Sequence, residues 1–429
     1  MKILHSSDWH FGKTIEGRDR MDEFAAFVDE FVALAEEEEV DLVLLPGDLY
    51  DVANPSAAAQ RLLCEAIDRL AAGGSRGVIV TAGNHDSPDR LVAPLPLATR
   101  QGVVILGRPC DEPELDPEGS PRDRVLRVAG GPSWVELRIP GCPHPAVVAA
   151  LPYASEGRLN EVFIEDIAEE GTAQAAYSKR VGGLYAQLAS HFRPDSVNLG
   201  MGHLFARGGH PSDSEREIQV GGAYTVYPED LPAGAHYVAL GHLHRPQEVK
   251  GAPSPTWYAG SPLVLSTSEI AYAKSVVIVE AEPGEEAVIR HVKVLAGRRI
   301  EVPEPCPYAE ALALATDREE QDANVWLVLA INDRLSLTAT ENHELRRACK
   351  RLVQIRCVSE AAAAESGAVA DRGERSAGEL FIDFFQHSKG AAPDEALVQT
   401  FVALLDGLDA SEVLSRAGQP KESESSCAR

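Results

Sequence analysis

The chain has 429 residues, which at about 100 to 200 residues per domain makes two or three domains. Apolar residues make up 44% and charged residues 25%, so collagen-like, mucin-like and wholly disordered chains are excluded. A surplus of 66 Asp+Glu over 40 Lys+Arg, net charge -26, argues against a protein that coats nucleic acid by charge alone.

Along the first hundred residues, short apolar runs (Lys2 to His5, Asp41 to Leu45, Val78 to Thr81) alternate with helical patterns at 21–38 and 56–72. In the first helix Phe24, Phe27, Val28, Phe31, Leu34 and Ala35 recur at three- and four-residue steps and predict one buried stripe. Nearly unbroken apolar runs predict strands covered on both faces, hence an α/β core. The stretch 108–135, rich in Pro, Gly, Asp and Glu, reads as a surface excursion. Strands follow at Trp134 to Ile139, Ala146 to Leu151, Val197 to Met201, His236 to Leu240, Thr256 to Ala259 and Ser275 to Glu280, with a helix near 172–192.

The pattern predicts a first domain over 1–283 and a small α+β domain over 284–358, the latter built from strand 287–295, helix 308–317, strand Val325 to Ile331, helix 342–350 and strand Leu352 to Val358. Residues 359–377 read as a linker, 378–415 as a segment holding two short amphipathic helices (378–388 and 393–408), and 416–429 as a disordered tail. Seven scattered cysteines without a C-x-x-C pair fit reduced thiols. The start lacks the apolar core of a signal peptide and no apolar run approaches the ~18 residues of a membrane span, so a cytoplasmic protein without membrane attachment is expected.

Asp8-Trp9-His10, Gly47-Asp48, Gly83-Asn84-His85-Asp86, Gly202-His203 and Gly241-His242-Leu243-His244 each fall at or just past the end of an expected strand. In open α/β sheets ligands bind outside the carboxyl ends of strands, so these distant motifs can share one pocket. Mixed carboxylates and imidazoles suit manganese, iron or zinc better than calcium or magnesium. Seven donors (Asp8, His10, Asp48, Asn84, His203, His242, His244) are too many for one ion. Two ions about 3.5–4 Å apart, sharing a carboxylate, make the clamp used on phosphate esters, and Asp48 is the natural shared group. The glycines before the donors are expected where the backbone bends tightly. Histidines outside the motifs, His5 and His236 among them, are read as structural.

This pattern resembles the calcineurin-type metallophosphoesterases across 1–283. The resemblance implies a β-sandwich flanked by helices (αββα). Carried over by position, Asp8, His10, Asp48 and His244 would hold one metal, and Asp48, Asn84, His203 and His242 the other. His85 would face the substrate and stabilise the phosphorane or protonate the leaving oxygen, with Asp86 orienting it. Protein phosphatases of this superfamily carry Asp-Arg-Gly soon after the Gly-Asp pair; here the chain reads Gly47-Asp48-Leu49-Tyr50-Asp51-Val52, which disfavours that branch.

Other runs resemble the bacterial SbcD family of nuclease subunits: Asn84-His85-Asp86-Ser87-Pro88-Asp89-Arg90-Leu91, Ser212-Asp213-Ser214-Glu215-Arg216, His242-Leu243-His244-Arg245-Pro246-Gln247, and Tyr258-Ala259-Gly260-Ser261-Pro262 with Ser266 and Glu269. That resemblance implies two divalent ions, manganese foremost, and a DNA nuclease for repair and recombination. It would act as an ATP-dependent 3′ to 5′ exonuclease on duplexes and as an endonuclease on single strands or hairpins. It also implies an SbcC-type coiled-coil ATPase partner on which the C-terminal helices dock, a capping domain at 284–358, and a heterotetramer in which two nuclease domains pair. No G-x-x-x-x-G-K-[ST] occurs in this chain, so ATP hydrolysis falls to the partner. Archaeal and eukaryotic relatives have a histidine at the position of Asp51, which makes Asp51 either a partner for a ligand or for His85, or a sign that phosphate is handled differently. The rival readings are a stand-alone small-molecule phosphodiesterase or phosphatase, and a non-enzymatic scaffold with structural metals.

Overall fold

The computed structural model describes residues 1–94, 101–155, 158, 173–212, 214–215, 224–321, 324–358, 381–382, 385 and 397–398. Two compact units divide the chain at Cys357/Val358.

In the first unit, β1 (Lys2–His5), β2 (Leu42–Pro46), β3 (Gly77–Thr81) and β4 (Val103–Leu106) are parallel neighbours. A second sheet contains β5 (Leu126–Gly131), β6 (Trp134–Arg138), β7 (Ala146–Leu151) and β8 (Val197–His203), while β9 (Phe205–Ala206) and β10 (Thr225–Val226) form a small separate pair. It is completed by β11 (Tyr237–Gly241), β12 (Gln247–Glu248) and β13 (Thr256–Tyr258), in the order β12-β13-β11-β8-β7-β6-β5. β14 (Ser275–Glu280) and β15 (Val288–Lys293) return to the first sheet, whose order is β15-β14-β1-β2-β3-β4.

Successive side chains of a strand point to opposite faces, and both faces are used. Ile3, Leu42, Leu44, Ile79 and Val104 face Val135, Leu137, Val148, Leu199 and Ala239 of the second sheet. Their neighbours Leu4, Val43, Leu45, Val78 and Val80 pack outward on α1 (Met21–Glu37) and α2 (Ala57–Ala71), through Phe24, Phe27, Phe31, Leu63 and Ile67. After the short α3 (Pro88–Val92), α4 (Ala173–Ala189) covers the far face of the second sheet with Val181, Tyr185 and Leu188. The expected αββα layering is the one observed. His5 stands between the sheets, its Nδ1 2.9 Å from the Tyr237 hydroxyl.

Two features differ from the sequence reading. The segment 287–295, expected to open the small domain, contains β15, antiparallel to β14 at the edge of the first sheet. Pro283-Gly284, read as a boundary, lies in the connection between these two strands, with Gly284 at φ 82. The end of the supposed surface excursion at 108–135 is β5, antiparallel to β6.

The small domain's sheet has the order β16 (Arg299–Glu301), β17 (Val325–Ile331), β18 (Leu352–Cys357). One face is covered by α5 (Tyr308–Gln321) and α6 (Ala339–Ala348), the latter started by a Thr338/Glu341 capping box. The other face presents Trp326, Val328 and Val353 to Ile15 of the first domain. Of the second unit only Val358 and five later residues are described, among them Phe381 and Phe385, whose rings lie 5.9 Å apart. The expected linker (359–377), the tail (416–429) and nearly all of the two expected helices lie outside the described residues. The six described cysteines are free, and no described helix is long and apolar enough to cross a membrane.

Candidate active site

Both sheets aim the carboxyl ends of their parallel strands at one place. Beyond β1 and β2 the two chains continue side by side: Asp8 N donates to Gly47 O (3.1 Å), His10 N to Asp48 O (3.0 Å) and Phe11 N to Leu49 O (2.9 Å). Trp9 is buried against Phe27 and Phe31, with its ring N–H on Ser6 Oγ, and so anchors the loop to the helical layer between Asp8 and His10. The backbone is under load here: Asp8 (φ 54), His10 (φ 48), Asp48 (φ 52) and His242 (φ 110) all have positive φ, a costly region that is characteristic of functional sites.

The expectation that each glycine permits a tight bend holds for Gly47 (φ 83), whereas Gly83 and Gly241 do not have positive φ. They are needed for space. A Cβ on Gly83 would collide with the Asp48 carboxylate and backbone N, and one on Gly241 with the Pro46 carbonyl. Gly83→Ala is therefore expected to cost about 1–3 kcal/mol in urea unfolding, as overpacking does, and to displace Asp48.

The seven expected donors, His85 and Asp51 come together. Asp8, His10 and His244 offer donor atoms within 4.8 Å of one another, as do Asp48, His203 and His242, and as do His10, Asp51 and His85. His10 Nε2 and His244 Nε2 are 3.2 Å apart. Asp48 Oδ2 lies 3.3 Å from His203 Nε2 and 3.8 Å from His10 Nε2, between the first two groups. Asn84 Oδ1 is 2.8 Å from His203 Nε2 and 3.2 Å from His242 Nδ1. The His85 backbone N donates to Asp48 Oδ1 (2.8 Å), and its ring Nδ1 is 2.7 Å from the Asp51 carbonyl.

Asp86, expected to orient His85, instead accepts from the backbone N–H of Gly83, Tyr50 and Leu49, tying the loop after β3 to the loop after β2. The Asp51 carboxylate lies 3.4 Å from His10 Nδ1 and 3.0 Å from Lys13 Nζ. Lys13 puts a cation at the mouth of the site that the motif pattern did not single out. Glu215, Ser214, Glu269 and Lys274 gather behind His244; the sequence carried Ser214, Glu215 and Glu269 only as part of a family likeness.

Burial dominates the electrostatics. It pushes Asp8 up to about 6 and Asp86 up to about 6, the charge of Asp48 adding to both. It would raise Asp48 too, but the nearby His203, His10 and His85 outweigh it and hold that carboxyl well below its ordinary value. His203 is lifted to about 9 because the Asp48 charge overcomes desolvation. His10 falls to about 4 and His242 falls as well, chiefly through burial. His244 is raised despite burial, by its contact with Glu269.

The set brings more acceptor atoms together than its own N–H groups are placed to serve: two imidazole nitrogens confront each other across 3.2 Å, and Asn84 Oδ1 lies against the nitrogens of two further imidazoles. Carboxylate, imidazole and amide donors converging in this way fit divalent transition metals. A four-layer αββα sandwich with this donor cluster at its strand ends defines a metal-dependent phosphoesterase.

Residues 1–246 match the family model described as calcineurin-like phosphoesterase, and the chain belongs to that family. More narrowly it belongs with the SbcD nuclease subunits. It is 38% identical over 413 residues to the SbcD subunit of nuclease SbcCD from Bacillus subtilis, covering 95% of this chain and 99% of that one. The SbcD subunit of nuclease SbcCD from Rhodobacter capsulatus is 34% identical over 342 residues, 79% of this chain and 76% of that one. Among solved structures, a dimetal phosphatase from Danio rerio overlaps 68% of this chain and 98% of its own at 12% identity, with a TM-score of 0.38.

Proposed function

We propose that the chain is the nuclease subunit of a DNA repair and recombination machine in the cytoplasm, working with an SbcC-type coiled-coil ATPase. The observation that carries this reading is the meeting of three donor groups and His85 at the strand ends of a chain whose relatives are nuclease subunits over nearly its full length. With the partner it degrades duplex DNA 3′ to 5′ in an ATP-dependent manner and cuts single strands or hairpins. Two nuclease domains pair within a heterotetramer, the small domain that begins at β16 acts as the cap, and the C-terminal helices dock on the partner.

Asp8, His10, Asp48 and His244 hold one divalent ion, and Asp48, Asn84, His203 and His242 the other, manganese foremost. Bound there, the ions supply Lewis-acid stabilisation of the phosphoryl oxygens and lower the pKa of the attacking water. Asp48 faces both positions. His85 is held at Nδ1 by the Asp51 carbonyl, which leaves Nε2 to exchange a proton with the leaving oxygen. Asp51 thus serves two rings, holding His85 through its backbone and facing His10 through its carboxylate.

The test is nucleotide release from end-labelled duplex DNA with manganese, with and without the ATPase partner. His85→Gln is expected to lower turnover by about 10²-fold or more while leaving manganese binding in place. Unchanged turnover would remove His85 from the chemistry. Intact DNA alongside hydrolysis of a small phosphodiester would instead favour a stand-alone phosphodiesterase.

A further inference from the structure

Residues quoted above for their likeness to the SbcD family, around Ser212 to Glu215 and at Ser266 and Glu269, provide none of the proposed ligands. They converge behind a single ring. His244 Nδ1 lies 2.5 Å from Ser214 Oγ and 3.1 Å from Glu269 Oε1, and the Ser214 hydroxyl itself donates to Glu269. The other Glu269 oxygen accepts from Lys274 Nζ (2.6 Å) and from Leu265 N (3.0 Å). Lys274 also donates to the His244 carbonyl (3.1 Å), and Glu215 accepts from the His244 backbone N (2.8 Å). Glu269 is 0% exposed and Lys274 7%. A buried ion pair contributes little net stability, so its placement against a ligand's ring nitrogen and carbonyl points to orientation of that ligand.

The four imidazoles are not backed alike. His244 has the Glu269 carboxylate behind it and His10 has, more loosely, that of Asp51 at 3.4 Å. His203 Nδ1 meets a neutral group, the Pro46 carbonyl, at 3.0 Å. His242 turns Nδ1 inward, toward Asn84. A carboxylate behind a ring fixes its tautomer and makes its other nitrogen a stronger donor. The remaining partners differ in the same sense: the His10–His244 position has the carboxylate of Asp8, whereas the His203–His242 position has the amide of Asn84.

We infer that the two cation positions are unequal, that the Asp8–His10–His244 position fills first, and that Glu269, held in place by Lys274 and Ser214, sets this order by fixing His244 with Nε2 toward the cation. The inference rests on the two-cation reading above. Glu269 is a positioning residue that acts through His244. Being read by cation binding alone, the inference can fail while the nuclease assignment stands.

Manganese is titrated into the metal-stripped full chain, free ion being followed by electron paramagnetic resonance and heat by calorimetry. The wild type is expected to bind in two separable steps. Asn84→Ala should weaken only the second. Glu269→Gln should weaken the first by about 10- to 100-fold, as loss of a partner behind a ligand does, and leave the second in place. Because Glu269→Gln leaves the Lys274 ammonium buried without its counter-charge, the pair Glu269→Gln with Lys274→Met is measured beside it and should give the same loss. Two equal steps in the wild type overturn the inference. So does an Asn84→Ala chain that loses the tight step, or a tight step that survives in both Glu269 variants. Absence of any manganese binding removes the two-cation reading itself.

Discussion

Asp48→Asn is expected to give a folded chain whose hydrolytic turnover has fallen by at least about 10⁴-fold, since one carboxylate is asked to serve both cation positions and metal binding is what brings the pKa of water from 15.7 to about 7. The substitution isolates charge from shape. Asp48 has φ 52, a left-handed conformation that asparagine tolerates nearly as well as aspartate, whereas alanine would add strain. Asparagine also keeps an oxygen to accept the His85 backbone N–H. What is lost is the negative charge 3.3 Å from His203 and 3.8 Å from His10. Turnover on end-labelled DNA and on a small phosphodiester, each measured with manganese, should fall together, because the defect precedes substrate choice. Manganese titration should show both steps weakened, unlike Glu269→Gln, which affects one. Turnover within tenfold of the wild type would mean that Asp48 does not bridge, and would reassign it to holding His203 and the loop of His85.

The convergence of the seven donors was legible in the sequence because each sits at or soon after the end of an apolar run, and strand ends of one sheet face one way. Asp8 after β1, Asp48 after β2, Asn84 after β3, His203 at the end of β8 and His242 after β11 illustrate this. The sheet edge was harder to read. In β15 the residues Val288, Arg290 and His291 are exposed, so the apolar signal is weak, and a Pro-Gly pair marks a hairpin connection as readily as a linker. The expected boundary therefore falls one strand too early. The role of Glu269 was not legible at all, because nothing in its local sequence relates it to His244, 25 residues earlier in the chain. Their approach is a product of the chain's path from β11 through β13. Asp86 shows the converse: adjacent to His85 in sequence, it spends its carboxylate on the backbone of Gly83, Leu49 and Tyr50.

Glu23→Ala is expected to destabilise the chain by about 3–5 kcal/mol, the cost of leaving a buried charge without its partner. Glu23 is on the first turn of α1 and 4% exposed, yet it joins the two domains. It accepts from Arg20 (2.9 and 3.0 Å), from the Arg298 backbone N (2.6 Å) and side chain (3.2 Å), and from Trp326 Nε1 (2.9 Å). The Arg298 guanidinium in turn lies 5.0 Å over the Trp326 ring. Removing the carboxylate strands Arg20, 1% exposed, and leaves the Trp326 N–H unsatisfied at the junction. Burial alone would raise the Glu23 pKa, but Arg20 and Arg298 outweigh it and hold the carboxyl below its ordinary value. A carboxylate with a depressed pKa stabilises above its unfolded pKa and stops doing so as pH falls through the folded one. The difference between wild type and variant in urea unfolding should accordingly be full at neutral pH and shrink in acid. Asp22→Ala is the matched control: its carboxylate pairs with the same Arg298 but is 63% exposed, and its loss should cost no more than about 1 kcal/mol. Equal small losses in the two variants would mean that the small domain is held by the apolar contact of Ile15 with Trp326, Val328 and Val353, with Glu23 serving only to pair the buried Arg20.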